Sequence, residues 1–179
     1  MTTALLVTPG YVRTMAAYNS EMNRRIYEAA ARLSDEERKR EQGAFWGSIH
    51  GTLSHLLWAD RMWMSRFDGW PPPDVPQKES AAMIADFATL KAEREAADAK
   101  IEAWAARVDE TWLAADQVWF SGSVQREVRM KRSFVMMHFF NHETHHRGQA
   151  HAMITAANER TGDTDLVFLM PVLIAAGVI

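Results

Sequence analysis

Apolar residues recur at spacings of three and four along most of the chain, and four long stretches carry the pattern well enough to predict helices. The first opens at Pro9 and Gly10 and sets Tyr11, Val12, Met15, Tyr18, Met22, Ile26, Ala29 and Leu33 on one face. Ser34 followed by Glu37 is a capping-box pattern that restarts a short charged turn. A second helix is expected over residues 44–67, stopped by Asp68 and Gly69. It contains Gly47 and Gly51, each costing about 1 kcal/mol against alanine, which points to a close approach along it. The proline-rich run 71–76 is an extended loop. A third helix is expected over 80–108, with Met83, Phe87, Leu90, Ile101 and Trp104 inward and a charged outer face. From Asp109 to Arg132 the periodicity weakens, and residues 118–120 and 123–130 around Gly122 read as a small hairpin. A fourth helix over 133–160 stops near Gly162, and the apolar tail from Leu166 packs on the rest. The pattern predicts an all-α fold: a four-helix bundle with a short irregular or hairpin segment before the last long helix, in one domain over residues 1–179.

Composition narrows the function. A net charge of -3 gives no reason to expect nucleic acid or an anionic membrane as partner. No apolar stretch approaches the roughly 20 residues of a membrane span, and the opening residues lack a leader, so a cytoplasmic protein is expected. With no cysteine there is no disulfide and no thiolate ligand, and any metal site must rest on histidine and carboxylate.

Five of the seven histidines fall between His138 and His151 on the fourth helix. His142 and His146, four apart, sit about 40° from one another around the axis and can share one divalent ion. Two ligands rarely hold a metal alone. The histidines outside this cluster are His50 and His55, about 140° apart on the second helix, so only one can face a common site. Beside His55 lie the small residues Ser48, Gly51, Thr52 and Ala59, which leave room for a metal; His50 is the spare.

At these residues the sequence resembles a known family. The run from Ser48 to His55, continuing to Trp63, looks like the second helix of the DinB-like (DinB/YfiT-like) metalloproteins. His142, His146, Arg147, Gly148 and Gln149 match that family's His-x-x-x-His-Arg-Gly-Gln signature. The resemblance implies a four-helix bundle holding a divalent metal (zinc, nickel or iron) on His55, His142 and His146. It also implies a homodimer, and a thiol-dependent transferase acting with a low-molecular-weight thiol as the leading activity. A metal-dependent hydrolase and a non-enzymatic metal-binding bundle are the alternatives.

His142-Glu143-Thr144-His145-His146 also fits the zinc-protease helix motif, in which the Glu is the general base. The longer protease form needs Gly three and His six residues after the second histidine; Gly148 and His151 stand two and five after it. His151 lies about 180° from His142 and points away. Supporting roles are expected for Gln149, about 20° from His142, for Glu143, and for Arg147 in an ion pair or toward an anionic group. Asp60 and Glu143 are the candidates to orient the ligand imidazoles. His138 is expected in packing beside the site, and His145 and His50 on polar faces or beside the ligands.

Overall fold

Thr8 turns its hydroxyl to the Tyr11 amide at 3.1 Å, and Pro9 occupies the first turn, where its missing N–H is not needed. From there α1 (Pro9–Ala31) runs to a C-cap at Arg32. The structure, a computed structural model, describes residues 5–122, 124–175 and 177. Residues 1–4 of the opening stretch, Ser123 of the expected hairpin and residues 176, 178 and 179 of the tail lie outside the described residues. The order is α1, α2 (Asp35–Lys39), α3 (Ile49–Phe67), a 3-10 turn (Gln77–Ala82), α4 (Phe87–Ala105), α5 (Glu110–Ala114), β1 (Asp116–Ser121), β2 (Arg126–Lys131), α6 (Arg132–Ala156), a second 3-10 turn (Leu166–Leu169) and α7 (Met170–Ala175).

The fold is mostly helical, with one antiparallel hairpin in which Asp116 faces Lys131 and Ser121 faces Arg126. The capping box at α2 is complete: Ser34 accepts from the Glu37 amide, and the Glu37 carboxylate accepts from the Ser34 amide. Among the long helices, α1 packs on α4 and α6, and α3 packs on α6 and α4. One apolar cluster holds Ile26, Tyr27, Leu53, Leu57, Phe87 and Ile154; another holds Val12, Met64, Trp104, Leu113 and Phe139. The tail docks on α1 through Leu169, which packs with Tyr18 and Met22.

Three helix boundaries differ from expectation by at least four residues, and the third helix also ends at Ala105 rather than Val108. The second helix begins at Ile49 rather than Ala44, because Gly47 adopts φ +76° and Ser48 caps the Gly51 amide at 3.0 Å. The third starts at Phe87 rather than Ser80: Asp86 accepts from the Thr89 amide at 2.7 Å, and the preceding residues form a separate 3-10 turn. The last ends at Ala156 rather than Arg160, since Asn158 takes the left-handed conformation (φ 65°) that asparagine tolerates just past a helix end.

Each long helix also contributes to a buried polar network. Arg94 of α4 pairs with Asp60 of α3 at 2.6 Å and with Asp98 at 2.7 Å, and Asn23 of α1 donates to Asp98 at 3.0 Å. Glu143 and Arg147 of α6 stand 3.9 Å apart. Three carboxyls share two guanidiniums here, so burial pushes the carboxyls up: Asp98 to about 6, and Asp60 well above the usual range, with Glu143 as a repelling neighbour.

Candidate metal centre

His55 projects from the middle of α3, and His142 and His146 project from successive turns of α6, which packs against α3. One nitrogen from each of the three lies within 4.8 Å of the others, with His55 Nε2 3.4 Å from His142 Nε2. His55 is 1% exposed and His146 is buried, whereas the His142 side chain keeps 21% exposure and gives the cluster an open side. The three imidazoles belong to one cluster compatible with metal binding.

Burial keeps the rings neutral. His55 is pushed down to about 3, chiefly by desolvation and further by the neighbouring His142 and His146. His142 and His146 are also lowered, with burial the main cause in each. A neutral imidazole has a free lone pair, the form a metal requires.

The second ring nitrogens of His55 and His146 have partners: Ser80, which was not expected, and Gln149, for which a supporting role was. His55 Nδ1 lies 2.8 Å from Ser80 Oγ, and Ser80 is itself held by Ser54, whose hydroxyl donates to the Ser80 carbonyl at 2.7 Å. His146 Nδ1 lies 2.8 Å from Gln149 Oε1. The Gln149 amide oxygen can only accept, so it takes the His146 Nδ1–H, and both contacts leave the Nε2 side of the ring to the cluster. Asp60 does not orient an imidazole; its carboxylate is taken by Arg94. Glu143 does not do so either: it is 1% exposed, 3.9 Å from His142 Nδ1, and sits in the interhelical network. That placement removes it as the general base of the protease motif.

Aromatic rings close the site. Trp46 stacks on His55 with centroids 3.8 Å apart, and Trp58 lies 5.9 Å away, nearly parallel to it. Trp46 belongs to the turn before α3, and the Gly51 backbone packs against its carbonyl oxygen. This is the close approach that the glycine signals. Neither Trp46 nor Ser80 was legible as a site residue. Ser80 contacts a residue 25 positions away, and nothing local marks it. Trp46 is hidden by reading the helix five residues too long; the cap pattern of Ser48 with Gly51 would have placed it in a turn.

The other histidines stay out of the cluster. His50, expected on a polar face or beside the ligands, is buried, with Nε2 2.8 Å from the Ile84 carbonyl. His138 packs edge-on against Trp63 at 5.4 Å, and His145 is exposed. His151 points away, with Nδ1 2.6 Å from Thr161 Oγ1. Arg147 turns inward beneath the Tyr18 ring, 5.3 Å from its centroid.

Among the described residues, no helix is long and apolar enough to cross a membrane. No curated protein and no solved structure matches the chain. A model of the DinB family matches residues 1–171, nearly the full length, and with the paired motifs on α3 and α6 this establishes that the chain belongs to the DinB family.

Proposed function

We propose that His55, His142 and His146 hold one divalent metal ion, and that the protein is a metal-dependent enzyme whose first substrate is a low-molecular-weight thiol. The observation that carries the reading is the set of three neutral imidazoles with nitrogens within 4.8 Å, two of them oriented by Ser80 and Gln149. Zinc, nickel and iron all suit such a donor set. When bound, the ion supplies a Lewis acid that lowers the pKa of a coordinated thiol or water.

The chain's own residues define what else can happen there. Three protein ligands leave a position for a small molecule. The half-open His142 side gives it access, while Trp46 and Trp58 exclude water around His55. The carboxylate nearest the rings, Glu143 Oε1 at 3.9 Å from His142 Nδ1, is 1% exposed and turned into the core, which favours a substrate whose own ionisation a bound ion would assist, as a thiol's, over base-assisted hydrolysis.

The same reading takes α1, α3, α4 and α6 as a four-helix bundle in one cytoplasmic domain that works as a homodimer. Exposed Phe134 and Met137, one turn apart on α6, and Phe120 and Met130 on the adjoining hairpin supply apolar surface for a second copy. Cobalt-substituted protein titrated with small thiols tests the enzymatic reading. A thiolate-to-cobalt charge-transfer band is expected, and a spectrum unmoved by every thiol would leave a metal-binding bundle without the transferase step.

A further inference from the structure

The helix that carries His142, His146 and Gln149 on one side carries a second stripe on another: Thr144, Arg147, Gly148 and His151, at spacings of three and four. This stripe faces α1 and, with the loop after α6, lines a cavity of about 150 Å³. Its walls are set in place by long-range hydrogen bonds. Tyr18 donates to the Thr164 carbonyl at 2.9 Å, Arg25 donates to the Asp163 carbonyl at 2.9 Å, and Thr161 bonds His151 at 2.6 Å.

Arg147 lines this cavity while only 5% exposed. Neither Nη1 nor Nη2 has a hydrogen-bond acceptor among the described residues. The nearest counter-charge, Glu143 Oε2, is 3.9 Å from Nη1, beyond hydrogen-bonding range. A buried guanidinium without an acceptor is costly, and its planar fork matches a carboxylate. The other nearby cation, Arg25, is already engaged with Glu21 at 2.6 Å. Beyond the guanidinium the lining is largely apolar, with Met22, Ile26 and the Tyr18 ring. An apolar space of roughly this volume accepts a guest the size of a benzene ring.

We propose that this cavity binds a small organic monocarboxylate of about benzoate size, with Arg147 pairing the carboxylate and α1 covering the apolar body. The site is separate from the histidine cluster and does not depend on it. With Arg25 held by Glu21 and the Asp163 carbonyl, Arg147 is the guanidinium left to pair with a guest, and this suits a monoanion better than a phosphate dianion, which needs more donors.

Titration calorimetry on the full chain tests the proposal, with benzoate, neutral benzamide and inorganic phosphate as probes. Benzoate is expected to bind in the millimolar range and at least about tenfold more tightly than benzamide, the cost of losing one charge-assisted pair. Arg147→Gln is expected to abolish the difference between the two. Gly148→Leu keeps Arg147 and adds a bulky side chain at a residue that lines the cavity, where a Cβ meets nothing within 4 Å. It is expected to abolish benzoate binding while circular dichroism and metal content stay unchanged. Equal affinity for benzoate and benzamide, benzoate binding that survives Gly148→Leu, binding of phosphate alone, or no heat with benzoate at tens of millimolar would each overturn the proposal.

Discussion

Gly51→Ala separates intrinsic helix preference from the packing around the three-histidine cluster. Alanine is favoured over glycine in a helix interior by up to about 1 kcal/mol, so propensity alone predicts a more stable protein. At Gly51 a Cβ would fall within 3.0 Å of the Trp46 carbonyl oxygen and lie 3.3 Å from both Ala81 Cβ and Ser48 Oγ. The carbonyl is backbone, and it accepts from the Ser48 amide at 2.9 Å within a turn also closed by Gly47 to Ala44 at 2.8 Å. It cannot yield as a flexible side chain would. Overpacking of this kind costs about 1–3 kcal/mol, and loosening a backbone hydrogen bond costs about 1 kcal/mol more. The expected net result is a loss of about 1–3 kcal/mol, a fall in melting temperature of about 3–9 °C for a chain of this size. The displaced turn also carries Trp46 off His55, so metal affinity falls as well. Urea denaturation of metal-free protein and competitive metal titration measure the two effects. A Gly51→Ala variant that is more stable than the wild type and equally tight for metal would refute the reasoning.

Three further outcomes are expected. Ser80→Ala removes the hydrogen-bond partner of His55 Nδ1 and should weaken metal binding by about 10–100-fold in a chelator competition, with the fold intact by circular dichroism. In metal-free protein His55 is held near 3 when folded against about 6.5 unfolded, so its contribution is present above pH 6.5 and lost as pH falls toward 3. Between pH 6.5 and 5 that loss is about 2 kcal/mol. Denaturation at the two pH values should therefore show His55→Gln less acid-sensitive than the wild type; parallel profiles would contradict the buried, neutral ring. Arg94→Met leaves Asp60 and Asp98 unpaired and should cost about 3–5 kcal/mol. Because Asp98 is raised to about 6, its protonated form favours the fold at low pH, and that contribution is lost as pH rises through 6. The deficit of Arg94→Met should accordingly be larger at pH 8 than at pH 5 in the same denaturation assay.

The hydrophobic spacing made the four long helices and the hairpin legible, because each buries one stripe or face whose period shows in the sequence. His55, His142 and His146 were legible for a related reason: side chains one turn apart must share a face, and small neighbours mark the facing helix. Of the orienting partners, Gln149 was legible and Ser80 was not. Asp60 and Glu143 seemed suited to hold imidazoles by chemistry alone, but two buried arginines draw both acids into the interior. Ser80 reaches His55 through a 3-10 turn whose position depends on how the loop after α3 returns to the helix. The start of α3 was misread because apolar spacing runs on through Phe45 and Trp46, while the positive φ at Gly47 is a backbone property that the spacing does not report.

The metal content of purified histidine variants tests the central claim most directly. Wild-type protein loaded with zinc, nickel or iron and freed of loose ion should retain one equivalent per chain by elemental analysis. His55→Ala, His142→Ala and His146→Ala should each lose it, while His50→Ala and His151→Ala, whose rings bond to the Ile84 carbonyl and to Thr161, should keep it. Full retention by His55→Ala, or loss on His151→Ala equal to that on His142→Ala, would contradict a three-histidine site shared between α3 and α6.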